Sequence, residues 1–434
     1  MPRRFVRLLG AVAAFGLAGL PGAGGAAQGL PLIGANYSHF GVVGCDVTGD
    51  GIVANGTFSR TLVRRQLAAM RAAGIETLRL FIWNMHDASG QTWGVVSSAG
   101  GRLGPAEEKN LIDFATDVRL AGFKRLTVVF GPEWTNDPVG YPENHYDPSL
   151  FEENWQLIRY LHGIVAQYGP LSTHFDLLNE GGPSDYAPTK AQLEAYIAHM
   201  YSNYVDAFGN ADVTVSSIVG ANDQSRISNL IDTLRSTGRP LPRWFEVHTY
   251  SGTVLEDLRA TDATLSSKGL SQPITLGETY YDDPAAAAGV KTFVATSSRR
   301  LDEVIEWPLS RGSACHDFSV TPPYKADRFI TALTGSPPPN AITATVGPDR
   351  TLYLETAYGE LVTALEAGDY TLTVADVSRT DNLHLSGPGL NVATGVRFRG
   401  TKTWTLRLRP GTYRFRSDRW KSRLKGAFVV LAAG

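Results

Sequence analysis

The chain has 434 residues, of which 43% are hydrophobic and 19% charged, and its formal net charge at pH 7 is −2. This length exceeds that of one average domain and allows at least one large core. A nearly neutral chain gives no reason to expect a protein that binds nucleic acid or a membrane surface. We therefore expect an ordinary globular protein.

The N-terminus has the pattern of a secretory signal peptide. Three arginines within the first seven residues precede an apolar run from Leu8 to Leu20, and small residues follow as far as Ala27. The apolar run is shorter than the roughly 20 residues that a membrane span needs. We predict that residues 1–27 are removed on export. The mature protein is then secreted or held in the cell envelope, without a membrane span.

Residues 28–335 alternate short apolar strands with amphipathic helical segments such as Ser59–Ala73 and Phe151–Tyr168. Eight strand–helix units in about 300 residues predict an α/β fold of the (β/α)8 (TIM) barrel type. A doubly wound open sheet is the alternative, although no Gly-rich dinucleotide loop follows the first strand. The predicted strands, one to eight, are Leu32–Tyr37, Thr77–Trp83, Arg125–Gly131, Phe175–Asn179, Val213–Val219, Trp244–Thr249, Ile274–Gly277 and Val304–Trp307.

A proline-rich segment separates this region from a second domain. Residues 336–343 begin with Ser-Pro-Pro-Pro-Asn, which indicates a stiff linker. Beyond it, Trp404–Arg409 and Tyr413–Arg416 alternate apolar with polar residues, and a Pro-Gly turn joins the two runs. We predict a small antiparallel β-sandwich over residues 344–434.

Polar and aromatic side chains follow the ends of several predicted barrel strands. In (β/α)8 enzymes the catalytic side chains lie at this end of the barrel. Glu180 and Glu278 each end an apolar strand, where a carboxylate costs free energy unless it has a partner or faces a cleft. Two such carboxylates can face one sugar ring. The complete set is Arg79, Trp134, Asn179, Glu180, His248, Tyr250, Glu278 and Trp307.

This set resembles the retaining glycoside hydrolases built on (β/α)8 barrels, the superfamily of cellulase-like and β-mannanase-like enzymes. The resemblance covers residues 28–335 and is carried by residue type and strand position. Asn-Glu ends strand four and Glu ends strand seven, together with Arg, His-x-Tyr and Trp. The resemblance implies that Glu180 is the acid/base and Glu278 the nucleophile. Glu133, after strand three, is an alternative acid.

The resemblance also implies how the two glutamates are supported. Arg79 would orient Glu278 and lower its pKa, and Tyr250 would hydrogen-bond the same carboxylate. His248 would bond Glu180 or the substrate and help set the proton affinity of Glu180.

The remaining implied roles concern the substrate, an oligo- or polysaccharide. Asn179 would bind the sugar 2-hydroxyl, and Trp307 would form the floor of a sugar subsite. Trp134 either lines the cleft or belongs to the core. The mechanism requires no metal and no other cofactor.

The two cysteines of the chain, Cys45 and Cys315, follow the first and the eighth predicted strand. These strands are neighbours when a barrel closes, so both cysteines fall in adjacent loops. We predict a disulfide between them, as an exported protein allows.

The second domain resembles a cupredoxin-like domain. The segments that carry this resemblance are Ala367–Val374, Asn382–Gly389, Leu408–Phe415 and Leu424–Val430. A copper site of that fold needs two His, one Cys and a weak axial Met.

Three of these four copper ligands are missing from the chain. His384 stands at the first His position, but Ser417, Trp420 and Leu424 occupy the others. We predict no copper and no electron transfer. The basic run from Arg407 to Lys425 has two interpretations. It is a contact surface for an anionic glycan or a cell surface, or it is a solvated face of the sheet.

The leading hypothesis is an exported retaining glycoside hydrolase that cleaves O-glycosidic bonds of a β-linked glycan. Long predicted loops after the first four strands favour endo-action on a polysaccharide. The alternative is a non-catalytic carbohydrate-binding or cell-surface protein on a barrel scaffold. It predicts that replacing either glutamate leaves the function intact.

Overall fold

The computed structural model describes residues 29–432 apart from 38–41, 44–45, 48–50, 55–57, 92–93, 140–144, 251, 281–282, 308–326, 336–339, 348–349, 357–360 and 422. The predicted signal peptide and both members of the predicted Cys45–Cys315 disulfide lie outside the described residues. The proline run of the predicted linker lies outside them too. These three features therefore stay predictions.

Strands and helices alternate through the first unit of the chain. The predicted helix Phe151–Tyr168 is observed with the same ends, and Ser59–Ala73 is observed as Arg60–Ala72. The helices are α1 (Arg60–Ala72), α2 (Pro105–Leu120), α3 (Phe151–Tyr168), α4 (Lys190–Phe208), α5 (Ser225–Ser236), α6 (Val254–Ser267), α7 (Pro284–Thr296) and α8 (Asp327–Thr334). The strands are β1 (Leu32–Tyr37), β2 (Val42–Val43), β3 (Asp46–Val47), β4 (Thr77–Met85), β5 (Val96–Ser97), β6 (Arg125–Pro132), β7 (Ser172–Asp176), β8 (Val213–Thr214), β9 (Ser217–Ile218), β10 (Phe245–His248), β11 (Ile274–Thr279) and β12 (Leu301–Glu306).

Most of these strands form one curled parallel sheet. Its order is β8-β7-β6-β4-β1-β12-β11-β10-β9, and β5 pairs with β4. Parallel strands need crossover connections, here helical, so their carboxyl ends gather at one edge of the sheet. The two end strands, β8 and β9, are separated only by Val215 and Ser216. The sheet therefore begins and ends on one short stretch of chain.

The predicted fourth strand, Phe175–Asn179, is observed further towards the N-terminus as β7. Beyond Asp176 the chain keeps single hydrogen bonds to its neighbours in place of a continuous ladder. Leu177 N–H donates to Thr214 at 3.0 Å, and Asn179 N–H donates to Phe130 at 2.9 Å. The Asn-Glu pair consequently lies in a turn just past the strand.

The predicted fifth strand, Val213–Val219, is broken into β8 and β9. At the break, Ser216 N–H donates to the Asp176 carboxylate at 2.9 Å, and the Ser216 hydroxyl accepts from Glu180 N–H at 2.8 Å. These bonds to a side chain and to a turn replace the strand ladder at this point.

The second unit, residues 340–432, contains two β-sheets that share one apolar core. Their orders are β14-β13-β16-β19 and β15-β21-β20-β17-β18. The strands are β13 (Ala341–Gly347), β14 (Thr351–Thr356), β15 (Ala364–Glu366), β16 (Gly368–Asp376), β17 (His384–Gly387), β18 (Leu390–Ala393), β19 (Gly400–Leu408), β20 (Gly411–Arg416) and β21 (Lys425–Leu431). The two-sheet arrangement does not by itself establish a cupredoxin-like domain.

The antiparallel prediction for this unit is wrong at two strand pairs. β13 pairs with β16, and β15 with β21, in parallel, because each of these pairs is joined by a crossover connection that contains other strands. β13 also begins at Ala341, inside the range predicted as linker, and all of its residues are buried. The burial arises because the strand lies between the sandwich core and helix α1.

His384 is engaged in hydrogen bonds on both ring nitrogens. Nδ1 lies 2.7 Å from Asp418 Oδ1, and Nε2 lies 2.7 Å from Asn391 Oδ1. Ser417, at the expected Cys position, donates to Asp381 at 3.1 Å. This end of the sandwich is therefore a hydrogen-bonded polar cluster.

The basic run does not form one continuous surface. Arg414 and Arg416 share the outer face of the five-stranded sheet with Lys425, which pairs with Arg416. Arg407 lies on β19 in the other sheet. Within the described part of the chain, no helix combines the length and the apolar character that a membrane crossing requires.

Candidate active site

A buried arginine holds the centre of the site. Arg79 is fully buried, and its Nη2 donates to Asp176 at 2.8 Å and to Asn179 Oδ1 at 2.9 Å. Nη1 bonds Glu278, and Nε lies 2.8 Å from Glu246 Oε1. Burial lowers the pKa of the guanidinium, but the three carboxylates outweigh burial and raise it. Arg79 is thus a permanent cation whose desolvation is offset by its partners.

Glu278 receives donors on both of its carboxylate oxygens. It is 2% exposed, and Oε1 accepts from Arg79. Oε2 accepts from the Tyr250 hydroxyl and from the Trp307 indole N–H at 2.7 Å. Burial and the Glu278 charge raise the pKa of Tyr250, so its hydroxyl stays a donor. Donors on both oxygens fix the direction in which the carboxylate points.

Glu180 lies in the turn after β7 with a backbone φ of 52°. This left-handed conformation costs a non-glycine residue about 1–2 kcal/mol. Here the Glu180 N–H donates to Ser216 Oγ at 2.8 Å, which holds the turn in place. The Glu180 side chain is 29% exposed, in contrast to Glu278. Glu180 is therefore the carboxylate that meets the solvent-filled cleft.

His248 Nδ1 lies between the two glutamates, 3.1 Å from Glu180 Oε1 and 3.5 Å from Glu278 Oε1. Burial lowers the pKa of His248, but the Glu278 charge and the contacts with Glu180 and Glu246 raise it to about 9. The imidazole is therefore protonated at neutral pH. Burial in turn raises the pKa of Glu180, and the hydrogen bond and charge of His248 bring it below its usual value.

One carboxylate oxygen of Glu180, one of Glu278 and a ring nitrogen of His248 all lie within 4.8 Å of one another. In the described part of the chain, this is the grouping whose spacing would suit a metal ion. However, a protonated His248 offers no ring lone pair, and Glu278 already accepts from Arg79, Tyr250 and Trp307. The residues fit a hydrogen-bonded carboxylate pair better than a set of metal ligands.

Sequence reasoning did not single out Asp176, Ser216 or Glu246. Burial and the Glu246 charge raise the pKa of Asp176 to about 6, while Arg79 opposes them. A usable signal was present, because a carboxylate inside an apolar strand needs a buried cation. Asp176, Glu246 and Arg79 all interrupt such strands, and the structure brings them together.

A cavity of about 300 Å³ opens beside Glu180. Its lining includes Trp83, Glu133 and Arg226. Trp83 stacks on Phe81 at 5.2 Å between ring centroids, and Phe81 stacks on Trp307 at 5.4 Å. A second cavity of about 650 Å³ lies on the Tyr250 side. Aromatic rings and open space therefore flank the glutamate pair.

The structure brings seven of the eight predicted side chains into one group, which hydrogen bonds and the His248–Glu278 contact hold together: Arg79, Asn179, Glu180, His248, Tyr250, Glu278 and Trp307. Arg79 lies near the start of β4 and reaches the site from inside the sheet. Trp134 stands apart, 59% exposed, with its ring 4.6 Å from that of His145. Trp134 is thus not a core residue.

Comparisons with known proteins give matches to solved structures only. No family model matches the chain, and no curated protein matches it. An endo-β-1,4-mannanase from Cellulomonas fimi is 12% identical, with coverage of 93% of this chain and 94% of that chain and a TM-score of 0.42. A glucosidase from Croceicoccus marinus is 12% identical, with coverage of 88% and 95% and a TM-score of 0.45.

An FMN-binding β-glucuronidase from Facaelibacterium prausnitzii is 10% identical, with a TM-score of 0.43. That match covers 94% of this chain, and the chain spans only 57% of that enzyme. All three structures are glycoside hydrolases by name. Each TM-score lies below 0.5, so the chemistry of this chain has to be judged from its own side chains.

Proposed function

We propose that the protein is a retaining glycosidase that cleaves O-glycosidic bonds of a β-linked glycan. One observation carries the proposal, namely the separation of the two strand-end glutamates. In retaining enzymes the carboxyl groups are about 5–5.5 Å apart, whereas inverting enzymes need about 6.5–9.5 Å to admit a water. The closest oxygens of Glu180 and Glu278 lie within 4.8 Å of each other. That gap supports direct attack by one carboxylate.

The reaction follows from how differently the two carboxylates are held. Glu278 is held by three donors and attacks the anomeric carbon, which forms a glycosyl ester. Glu180, protonated and open to the cavity, gives its proton to the departing oxygen as the glycosidic bond breaks. Glu180 then takes a proton from water, which attacks the anomeric carbon and releases Glu278. The sugar leaves with its original anomeric configuration.

The proton that Glu180 needs is available from its neighbour. The pKa of His248 is raised to about 9 and that of Glu180 is lowered, so in the resting site the proton resides on His248 Nδ1. A neutral sugar oxygen at the Glu180 carboxylate favours transfer of this proton over 3.1 Å to Glu180. Glu180 and His248 together therefore supply the proton for general acid catalysis.

Further parts of the proposal concern the whole chain. We propose that the curled sheet closes as a (β/α)8 barrel through residues 213–218, since β8 and β9 are its two edges.

Cavities on both sides of the glutamate pair support internal cleavage of a polysaccharide. The N-terminal pattern supports a site of action outside the cytoplasm. Arg414, Arg416 and Lys425 support contact with an anionic glycan.

The test is hydrolysis of β-glucans, β-mannans, xylans and aryl β-glycosides by the parent protein and by Glu278→Gln. We expect the parent to cleave at least one substrate and the variant to lose at least about a thousandfold in kcat, since a nucleophile acts with its partners as a unit. Glu303→Gln is the matched control, because Glu303 is another strand glutamate, 1% exposed and paired with Arg125 at 2.8 Å. That control is expected to cleave like the parent.

Azide separates the two glutamate roles. With Glu180→Ala, azide should attack the glycosyl–Glu278 ester and give a product of retained configuration. With Glu278→Ala, azide should enter from the face that Glu278 vacates and give the inverted product. A parent inert on the whole panel would instead favour a non-catalytic carbohydrate-binding protein. A fully active Glu278→Gln would overturn the assignment of Glu278 as the nucleophile.

A further inference from the structure

Glu246 is a buried carboxylate for which the mechanism above has no use. It lies two residues before His248 on β10, and it is 1% exposed. Residues two apart on a strand point to the same face, so both side chains enter the interior of the curled sheet. Glu246 Oε1 lies 2.8 Å from Arg79 Nε and 3.6 Å from His248 Nε2. It thus contacts the two cations that serve Glu278 and Glu180.

The space for this carboxylate depends on the residue before Glu278. A Cβ on Gly277 would lie 2.3 Å from Glu246 Oε1 and 2.8 Å from its Cδ. Contacts below 3.0 Å require something to move, and Glu246 is enclosed. The missing side chain at Gly277 therefore lets Glu246 stand directly beneath the site.

The charges around His248 show what Glu246 supplies. Glu180 and Glu278 face Nδ1, while Glu246 faces Nε2, and Arg79 and Asp176 complete the surroundings. Among the described residues, Nε2 has no partner that meets hydrogen-bond geometry. A buried N–H without such a partner is costly unless an opposite charge lies close by. Glu246 provides that charge from the side opposite the cleft.

We infer that Glu246 is a positioning residue that holds His248 as an imidazolium with Nδ1–H directed at the glutamate pair, and that holds Arg79 on Glu278. This role rests on the proposed function. The Glu246 carboxylate loses no proton and forms no bond with substrate. Its negative charge keeps one proton on the Glu180–His248 pair, and that proton is the one the departing oxygen receives.

The inference is tested with Glu246→Gln, which keeps the shape and removes the charge. Loss of a nearby anion disfavours the imidazolium, so the pKa of His248 should fall. The alkaline limb of the pH profile of kcat/KM should move down by at least about one pH unit, which is a tenfold effect on the proton equilibrium. Glu246→Asp, which restores the charge, should return the limb towards its parent position.

A direct readout is the titration of His248 by NMR in histidine-labelled protein, with the signal assigned by its absence in His248→Gln. The titration midpoint should fall in Glu246→Gln and stay unchanged in Glu303→Gln. If Glu246→Gln does not fold, Gly277→Ala displaces the same carboxylate and should shift the midpoint in the same direction. An unchanged midpoint and an unchanged alkaline limb overturn the inference.

The two proposals fail in different ways. If the parent cleaves glycans while Glu246→Gln keeps the parent pH profile, the glycosidase proposal stands and the role of Glu246 falls. If no substrate is cleaved but the His248 midpoint drops in Glu246→Gln, Glu246 controls the proton as inferred and the proposed reaction falls.

Discussion

At the residue scale, some side chains of the candidate site can be identified from the sequence, whereas the partners of others become apparent only in the folded structure. Glu180 and Glu278 can be identified because each ends an apolar run, where a carboxylate costs free energy unless it has a partner or faces a cleft. Asp176 and Glu246 interrupt apolar strands, which indicates that each needs a buried cation but does not indicate which one. Their role depends on Arg79, which is distant in sequence and meets them only once the sheet curls.

Ser216 shows how one hydroxyl supports Glu180, the proposed acid/base. Its Oγ accepts the N–H of Glu180 at 2.8 Å, and this bond holds a backbone with a φ of 52°. In Ser216→Ala the partly buried N–H of Glu180 loses its partner, at a cost of about 1 kcal/mol. We expect kcat to fall about tenfold, since Glu180 is then less well directed, with a smaller change in KM.

The matched control for Ser216→Ala is Ser217→Ala. The neighbouring Ser217 is equally buried, but its hydroxyl donates to the adjacent Ile218 carbonyl at 3.3 Å and does not contact Glu180. Steady-state kinetics on the best substrate of the panel should therefore separate the two variants. Equal kcat values in both would show that the turn does not depend on Ser216.

At the element scale, strand positions could be predicted well and strand interruptions could not. Periodicity marked residues 213–219 as one strand because the segment is almost continuously apolar or small. The observed break at Ser216 arises from bonds to Asp176 and Glu180, which no local pattern encodes. Similarly, prolines before Ala341 indicated a linker, yet β13 starts there because one of its faces packs in the sandwich core and the other lies against helix α1.

Burial of both faces of β13 leaves a buried hydroxyl group whose cost to stability can be measured. Thr345 is 4% exposed, and no described atom offers its hydroxyl an acceptable hydrogen bond. Thr345→Val replaces this hydroxyl with a methyl group of similar size and should raise the free energy of unfolding by about 1 kcal/mol. Urea denaturation measures the change. Thr405→Val, at an exposed position of β19, should change it by less than about 0.5 kcal/mol.

At the scale of the whole molecule, the sandwich packs on the outside of the curled sheet through α1 and α2. β13 and β16 contact α1, and the Thr401 hydroxyl bonds Leu120 at the end of α2. Composition and the change from helical to alternating periodicity predicted two units. Their contact surface could not be predicted, since it depends on which helix face remains apolar after the sheet has curled.

A buried carboxyl group near this contact should make the stability of the molecule depend on pH. Burial raises the pKa of Asp376 to about 7, although Ser378 N–H and the Thr394 hydroxyl both donate to it. Its unfolded value is about 3.9, so the folded state binds the proton more tightly. The stabilisation is therefore complete below about pH 4 and is lost as the pH rises towards 7.

Asp376→Asn mimics the protonated carboxyl group and should remove this loss. At or below about pH 4 the variant and the parent should unfold at similar temperatures, whereas at about pH 8 the variant should be more stable, with a melting temperature several degrees higher. The sign follows because between about pH 4 and 7 the unfolded parent ionises Asp376 while the folded parent keeps it protonated, which favours unfolding, and Asn cannot ionise in either state. Asp369→Asn, at an exposed position on the same strand, should follow the parent at both pH values. A variant Asp376→Asn that loses stability with rising pH as the parent does would show that Asp376 is ionised at little cost in the folded protein, and that the polar contacts of Ser378 and Thr394 outweigh its burial.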